Sequence, residues 1–375
     1  MITLHARNLR ALRHFEWPIH DVSVLTGANG AGKTTALLVL RTLRAAFDRG
    51  LEVAVSENLG GRYNLRTHGV GPDAVIELGI DIGDLRWRVN LVTVVNTGEV
   101  SLEEKLEEGD QTLFHRMDIG RFSYRGEVQS MSALASEKLA VRLLAEAHPE
   151  DQAVAAMAEC LRSIHVFYDP DLRGLRESGS RTTENRHLHS NGRNVLTMLR
   201  RWRDRRADAM RFELVHNGLK EAFPGVYSSL DFVDSGQTLT ANVFREGREE
   251  GTPLSHEANG VLALMLLLAQ LAAAPDHGIV AIDEPEHALH PFAIRAFIRL
   301  ARTWARQHDL AVVLTTHSPV LLDAFQGEPE RIFVLDRGSE VLPVRLDQLR
   351  NRDWLAEYTL GELYVNGEFA ANEAT

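Results

Sequence analysis

The chain has 375 residues, 44% hydrophobic and 25% charged, enough for one large globular domain or a core domain with an insertion. A formal net charge of −11 argues against a uniformly basic nucleic-acid coat while allowing a local basic patch. A single cysteine, Cys160, excludes an internal disulfide framework and a cysteine-based metal site, and no apolar run reaches the ~18 residues of a membrane span.

The start reads as strands, over residues 2–9 and 15–19. Residues 21–25 (DVSVL) form a short apolar strand that enters a glycine-rich loop. Residues 34–47 carry Leu37, Leu38, Leu40 and Leu43 at helical spacing. Residues 51–70, rich in Gly, Asn and Arg, predict an irregular loop. Residues 74–82 and 85–95 alternate at period two around Gly83-Asp84, which predicts a hairpin. Residues 98–132 are polar, poorly periodic and support no assignment. Helices are predicted over 133–147 and 151–164, a strand over 164–168, and a polar loop over 170–192. One or two helices follow over 194–223, and a second hairpin joins 227–233 to 238–244. The last third alternates helix (258–273, 293–307, 354–364) with short apolar strands (278–282, 310–315, 331–335, 340–344). Continuous apolar strands between helices predict a parallel sheet covered on both faces.

Gly27-Ala28-Asn29-Gly30-Ala31-Gly32-Lys33-Thr34-Thr35 matches G-x-x-x-x-G-K-[ST], between a predicted strand and a predicted helix. Glycines let the backbone turn its N–H groups onto a phosphate, and the helix N-terminus adds positive potential. In this reading Asn29, Gly30, Ala31, Gly32, Lys33, Thr34 and Thr35 cradle ATP. Lys33 reaches the β- and γ-phosphates and the Thr34 hydroxyl ligates Mg²⁺. Residues 278–284 (GIVAIDE) form an apolar strand ending in two carboxylates. Ligands bind at the carboxyl ends of parallel strands. Asp283 would hold Mg²⁺, directly or through water, and Glu284 would orient or deprotonate the attacking water. A strand ending in a polar turn is the plain alternative, and it loses force once the phosphate loop is present.

With asparagine at its third place, the phosphate loop resembles the ABC-type ATPase heads of the RecF and SMC group. Asp283-Glu284-Pro285-Glu286-His287-x-Leu289-His290-Pro291 is similar to the Asp-Glu-Pro-Glu-x-x-Leu-His-Pro segment of overcoming-lysogenisation-defect-like ATPases. Thr315-Thr316-His317-Ser318-Pro319 follows a buried strand, as the family's switch histidine does. The segments 168–173, 360–364 and 367–369 resemble the group as well. The resemblance implies an α/β P-loop NTPase of the ABC-ATPase head type, mainly a parallel sheet with an added β-meander and an α-helical insertion. It implies that Glu284 is catalytic, that a dimer-interface loop follows it, and that His317 contacts the γ-phosphate. Two copies would sandwich ATP and Mg²⁺. The expected division is an N-terminal lobe over 1–132, the insertion over 133–223 and a C-terminal lobe over 224–375.

ABC heads also place a loop at a helix start whose serine and backbone amides bind the opposite protomer's γ-phosphate. Here the candidate is 254–260, with Ser255, Asn259 and Gly260. Ala258 stands where serine is usual, or Ser255 takes its place through a shifted loop. A plain helix cap by Ser255 or Asn259 is the alternative. The glutamine that senses Mg²⁺ has no clear place, and Gln111 and Gln129 are candidates by position alone. Arg173 is expected, by resemblance, to face the nucleotide end.

Heptad arms of SMC length are absent. Only 58 residues follow His317 (375 − 317), too few for the fold and a Toprim nuclease together. The expectation is a cytoplasmic ATPase head, also because the N-terminus lacks a signal-peptide core. It would act through a separately encoded effector, in anti-phage defence or DNA repair. The alternative is a nucleotide-gated regulatory module with little turnover that controls a toxin or nuclease. Arg200, Arg201, Arg203, Arg205, Arg206 and Arg211 crowd one predicted helix with Asp204 and Asp208. They read either as a salt-bridged solvated face or as a contact for nucleic-acid phosphates or an acidic partner.

Overall fold

The computed structural model describes residues 1–60, 65–71, 74–93, 100–116, 121–130, 138–181, 187–336 and 338–370. The chain folds into two compact units, one of residues 1–164, 328–357 and 363–375, the other of 165–327 and 358–362.

In the first unit, β1 (Ile2–Leu9) and β2 (Leu12–Ile19) form an antiparallel hairpin. β3 (Val22–Gly27), buried along its length, leads through the glycine loop into α1 (Lys33–Arg49). α2 (Leu51–Leu59) packs on α1 and corrects the expected loop at 51–70. Its apolar side, Leu51, Ala54, Val55 and Leu59, is buried, and Gly60 ends it in the left-handed conformation (φ 73). β4 (Ile76–Ile82) and β5 (Leu85–Thr93) form the predicted hairpin.

Four strands then occupy the stretch that sequence left unassigned: β6 (Val100–Glu108), β7 (Gln111–Arg116), β8 (Arg121–Tyr124) and β9 (Glu127–Ser130). They extend an antiparallel sheet in the order β2-β1-β4-β5-β6-β7-β8-β9. One face of this sheet carries polar pairs: His5 lies 2.8 Å from Asp81, and Asn90 and His115 lie 2.9 and 2.7 Å from Glu103. On the other face Glu104 is fully buried and accepts from Val141 N (2.9 Å), Ala140 N and Trp87 Nε1 (3.1 Å). It thereby caps α3 (Ala140–Ala147) from a neighbouring strand, and burial pushes its carboxyl above the usual range. Residues 133–137 of the predicted helix lie outside the described residues. α4 (Gln152–Arg162) is capped by Asp151, whose carboxylate also takes the Tyr124 hydroxyl at 2.7 Å.

The second unit opens with β10 (Ile164–Phe167). α5 (Leu172–Ser178) and β11 (Ser180–Arg181) replace much of the predicted polar loop at 170–192, of which 182–186 lie outside the described residues. α6 (Val195–Asp204) and α7 (Ala209–Ala222) are separate helices. β12 (Ser229–Asp234), β13 (Thr238–Phe244) and β14 (Thr252–Pro253) follow. β12 and β13 form the predicted second hairpin, and β11 and β14 also pair with β13. α8 (Asn259–Ala273) is buried from Val261 to Ala272, which is why its sequence is apolar all round. β15 (Ile279–Asp283), α9 (Pro291–His308), β16 (Ala311–Thr315) and α10 (Pro319–Asp323) complete the unit. β15 lies between β10 and β16, and β15 and β16 run parallel with Asp283 opposite Thr315.

Back in the first unit, β17 (Ile332–Leu335) pairs in parallel with β3, Leu335 opposite Gly27. β18 (Val344–Arg345) is shorter than the strand expected over 340–344. The single helix expected over 354–364 is divided. α11 (Leu346–Leu349) precedes α12 (Arg352–Glu357), and α13 (Leu360–Val365) begins among the second unit's residues 358–362 and ends in the first.

Candidate nucleotide site

The phosphate loop lies in the first unit, while Asp283, Glu284, His317, Ser255, Asn259 and Gly260 lie in the second. The loop is shaped by glycine. Gly30 has φ +75 and Gly32 φ +113, a region that L side chains rarely enter. A Cβ on Gly32 would sit 2.8 Å from Leu12 Cδ2 and 3.2 Å from Ala11 Cβ, in the turn between β1 and β2. On Gly27 it would meet Leu335 Cβ at 2.9 Å. Backbone alone therefore fits here. Lys33 is 6% exposed, and its Nζ donates to the carbonyls of Gly27 (2.8 Å) and Ala28 (3.1 Å) in its own loop. α1 begins with Gly32 as N-cap, no side-chain cap and no acidic residue in its first turn. The positive end of the helix thus carries no compensating acid, which favours an anion there. The Asn29, Gly30 and Thr34 positions are exposed, whereas Ala31 and Thr35 are buried.

At the end of β15 the chain turns sharply. Glu284 has φ +43, a strained conformation for glutamate, and its N–H reaches both the carbonyl and the hydroxyl of Thr315, each at 3.2 Å. The Thr315 hydroxyl in turn donates to Asp283 Oδ1. One threonine on the adjacent strand therefore orients both acids, a consequence of the β15–β16 register. The Glu284 carboxylate lies between two imidazoles, with His287 Nε2 at 3.2 Å from Oε2 and His317 Nε2 at 3.8 Å from Oε1. His317 is held from behind. Glu286 Oε1 accepts from the His317 N–H (3.1 Å) and from the Thr316 hydroxyl (2.7 Å). The Ser318 N–H bonds Thr316 Oγ1 at 2.9 Å, and Ser318 Oγ caps α10. Glu286 Oε2 is buried and finds no hydrogen-bond partner among the described residues. Burial, reinforced by the nearby Glu284 charge, holds the Glu286 carboxyl above the usual carboxylate range.

Residues 254–256 form a 3-10 turn that exposes Ser255. Ala258 is the N-cap of α8, and no side chain caps this helix. The plain-cap alternative for Ser255 or Asn259 is therefore set aside. Asn259 Oδ1 instead accepts from Arg176 Nη2 at 2.5 Å, and the same nitrogen reaches the Glu257 carbonyl at 2.8 Å. A Cβ on Gly260 would approach the Ala288 carbonyl, in the turn after Glu284, at 3.1 Å.

Sequence reasoning did not single out Arg176, Thr315, Glu286 or His287 for these contacts. Thr315 was recoverable from the two strand ends, while Arg176 carries no local signal. Arg173 has an 85% exposed side chain and pairs with Glu177. Gln111 is exposed at the β6–β7 turn, and the side chain of Gln129 lies outside the described residues. The arginine cluster spans α6, the following turn and α7 rather than one helix. Arg200, Arg203 and Arg211 pair with Asp234, Asp204 and Asp208. No helix among the described residues is long and apolar enough to cross a membrane.

Comparison with known proteins matches residues 22–323 to a family described as "AAA domain, putative AbiEii toxin, Type IV TA system". The OLD nuclease of Thermus scotoductus is 25% identical over 386 residues, a match that covers 93% of this chain and 66% of the nuclease. This chain thus spans just under two thirds of that relative's length. Among solved structures, a Pyrococcus furiosus Smc head domain with an extended coiled coil, bound to the C-terminal domain of ScpA, superposes with TM-score 0.49 and 10% identity. That match covers 93% of this chain and 98% of the Smc chain. The SMC head domain of Thermotoga maritima superposes with TM-score 0.46 and 12% identity, over 88% of this chain and 93% of that one. Because the family match runs from β3 through α10, and so takes in the phosphate loop, the twin acids and His317, the chain belongs to this AAA-domain family of P-loop ATPases.

Proposed function

We propose that the protein is an ABC-type ATPase that binds ATP with Mg²⁺, dimerises head to head around the nucleotide, and hydrolyses it to ADP and phosphate. The observation that carries this reading is Glu284, strained at a strand end, fixed by Thr315, with His317 3.8 Å from its carboxylate. The Lys33 ammonium, now on two loop carbonyls, exchanges them for the β- and γ-phosphate oxygens. Thr34 and Asp283 offer a hydroxyl and a carboxylate, hard oxygen donors that suit Mg²⁺. That ion, when bound, neutralises charge on the phosphate oxygens. Glu284 orients the attacking water and takes its proton, and His317, held by Glu286, hydrogen-bonds the γ-phosphate. Ser255, Asn259 and Gly260 of one copy meet the triphosphate seated in the phosphate loop of the other.

Glu284→Gln tests the reading. It should retain ATP, accumulate the dimer and lose about 100-fold or more in turnover, the usual contribution of a general base. Full turnover in this variant overturns the assignment.

The relative that is a nuclease supports a DNA-linked role, with anti-phage defence ahead of DNA repair, in the cytoplasm and through an effector carried on another chain. A second reading, a nucleotide-gated regulatory module with little turnover that controls a toxin or nuclease, draws on Ala258, which offers no hydroxyl at the start of α8. Single-turnover ATP hydrolysis with and without a co-purifying partner separates the two.

A further inference from the structure

The turn at 257–259 is held by a residue far from it in sequence, and the way it is held bears on what the turn can bind. Glu257 is 2% exposed. Its carboxylate takes Arg245 at 2.9 Å, while its carbonyl takes Arg176 at 2.8 Å. The two arginines differ electrically. Arg245 is neutralised by a carboxylate, whereas the two acceptors of Arg176 shown here are a carbonyl and an amide oxygen, both neutral. Asn259 is the first helical residue after the N-cap Ala258, so its side chain is free to face outward from the helix start. Arg176 holds the side-chain oxygen of Asn259 at 2.5 Å, and α8 has no side-chain cap and no acid in its first turn.

Arg176 is itself firmly mounted. Its helix, α5, starts at Asp171, which accepts from the Gly174 N–H at 2.7 Å and pairs with Arg193, just before α6, at 3.0 Å. A Cβ on Gly174 would fall 2.3 Å from Asp171 Oδ2, so a larger residue there would have to displace the capping carboxylate. At the other end Gly179 (φ +61) packs against the Leu239 carbonyl of β13, and Ser180 Oγ accepts from the Leu196 N–H of α6 at 3.1 Å.

We infer that Arg176 is a positioning residue: by holding the Glu257 carbonyl and the Asn259 side chain it fixes the turn at 257–259, and with it the start of α8 that faces the partner copy's triphosphate in the proposed sandwich. The same contacts tie this turn to α5 and, through Asp171 and Arg193, to the start of α6. This inference rests on the proposed role of 254–260 in the ATP sandwich.

Three full-length variants test it. Arg176→Ala should bind a fluorescent ATP analogue within about twofold of wild type, because the phosphate loop is untouched. Its kcat should fall about tenfold and its ATP-dependent dimerisation, read from mass in solution, should need about tenfold more protein, the scale of lost hydrogen bonds to a charged group. Arg176→Lys, whose amine reaches one acceptor, should recover about half of that loss on a logarithmic scale. A merely structural arginine would lower Tm without separating nucleotide affinity from dimerisation. Wild-type kcat and dimerisation in Arg176→Ala overturn the inference; if that variant does not fold, wild-type values in Arg176→Lys overturn it equally. Asn259→Asp separates the layers, since it keeps an acceptor for Arg176 and favours the helix while repelling a phosphate. If Asn259→Asp impairs dimerisation and Arg176→Ala does not, the role of Arg176 alone falls. If Asn259→Asp is silent, the proposed role of 254–260 falls with it.

Discussion

The starts of α1 and α8 are two versions of one device. Both are helix N-termini with no side-chain cap and no acidic residue in the first turn, where the positive helix end favours an anion. They differ in what shapes them. At α1 the shaping is local: Gly30 and Gly32 at positive φ turn the chain, and the cap position is itself a glycine. At α8 the cap position is Ala258, and the turn around it is held remotely, by an arginine 83 residues before Asn259. Local geometry writes a motif into the sequence. A long-range contact does not.

The comparison is broken most sharply at Gly32. With φ +113 and Leu12 Cδ2 waiting 2.8 Å from any Cβ, Gly32→Ala must move the loop. ATP affinity should fall about 100-fold, from a few kcal/mol of strain and clash. Wild-type affinity by fluorescence titration would mean that the loop's shape is not what binds phosphate. Gly30 (φ +75) has nothing within 4 Å of a Cβ, so Gly30→Ala isolates backbone strain and should cost about fivefold. At the other helix start, Gly260→Ala gains helix propensity, roughly 1 kcal/mol, but its methyl group would press on the Ala288 carbonyl at 3.1 Å. Tm should hold or rise slightly while kcat falls about threefold, within the range of a small displacement next to a base. A rise in both would show that the turn after Glu284 is free to give way.

The same contrast governs what the sequence revealed. The hairpin of β4 and β5 was legible because its inward residues, among them Ile76, Leu78, Ile80, Trp87 and Val89, are uninterrupted and buried. β6 was not, because its inward series contains Glu104, whose task is to cap α3, and its outward series carries cross-strand pairs. α2 was hidden by the polar residues that crowd the stretch after it. Of the proposed site residues, Lys33, Thr34, Asp283, Glu284 and His317 stood out because a phosphate and a metal would call for fixed residue types at a helix start and at strand ends. Thr315 needed the strand register, and Arg176 needed the fold.

Glu286 tests the remote kind of control at its weakest. Its carboxylate holds His317 through the backbone N–H at 3.1 Å and Thr316 through the hydroxyl at 2.7 Å, yet burial keeps its carboxyl above the ordinary range. A carboxyl raised on folding contributes stability below its unfolded pKa, about 4.3, and loses it as pH rises through the folded value. Above that folded value the wild-type protein carries a charged, half-satisfied carboxylate that Glu286→Gln removes, while the amide oxygen can still accept from both donors. The variant should melt higher than wild type at pH 8, and the gap should narrow as pH falls toward 4. Because a neutral acceptor holds a donor about half as strongly, turnover should drop about twofold as His317 loosens. A lower Tm at pH 8 would mean that the two hydrogen bonds outweigh the burial of the charge. The carboxylate would then be a structural clamp on the histidine rather than a strained one.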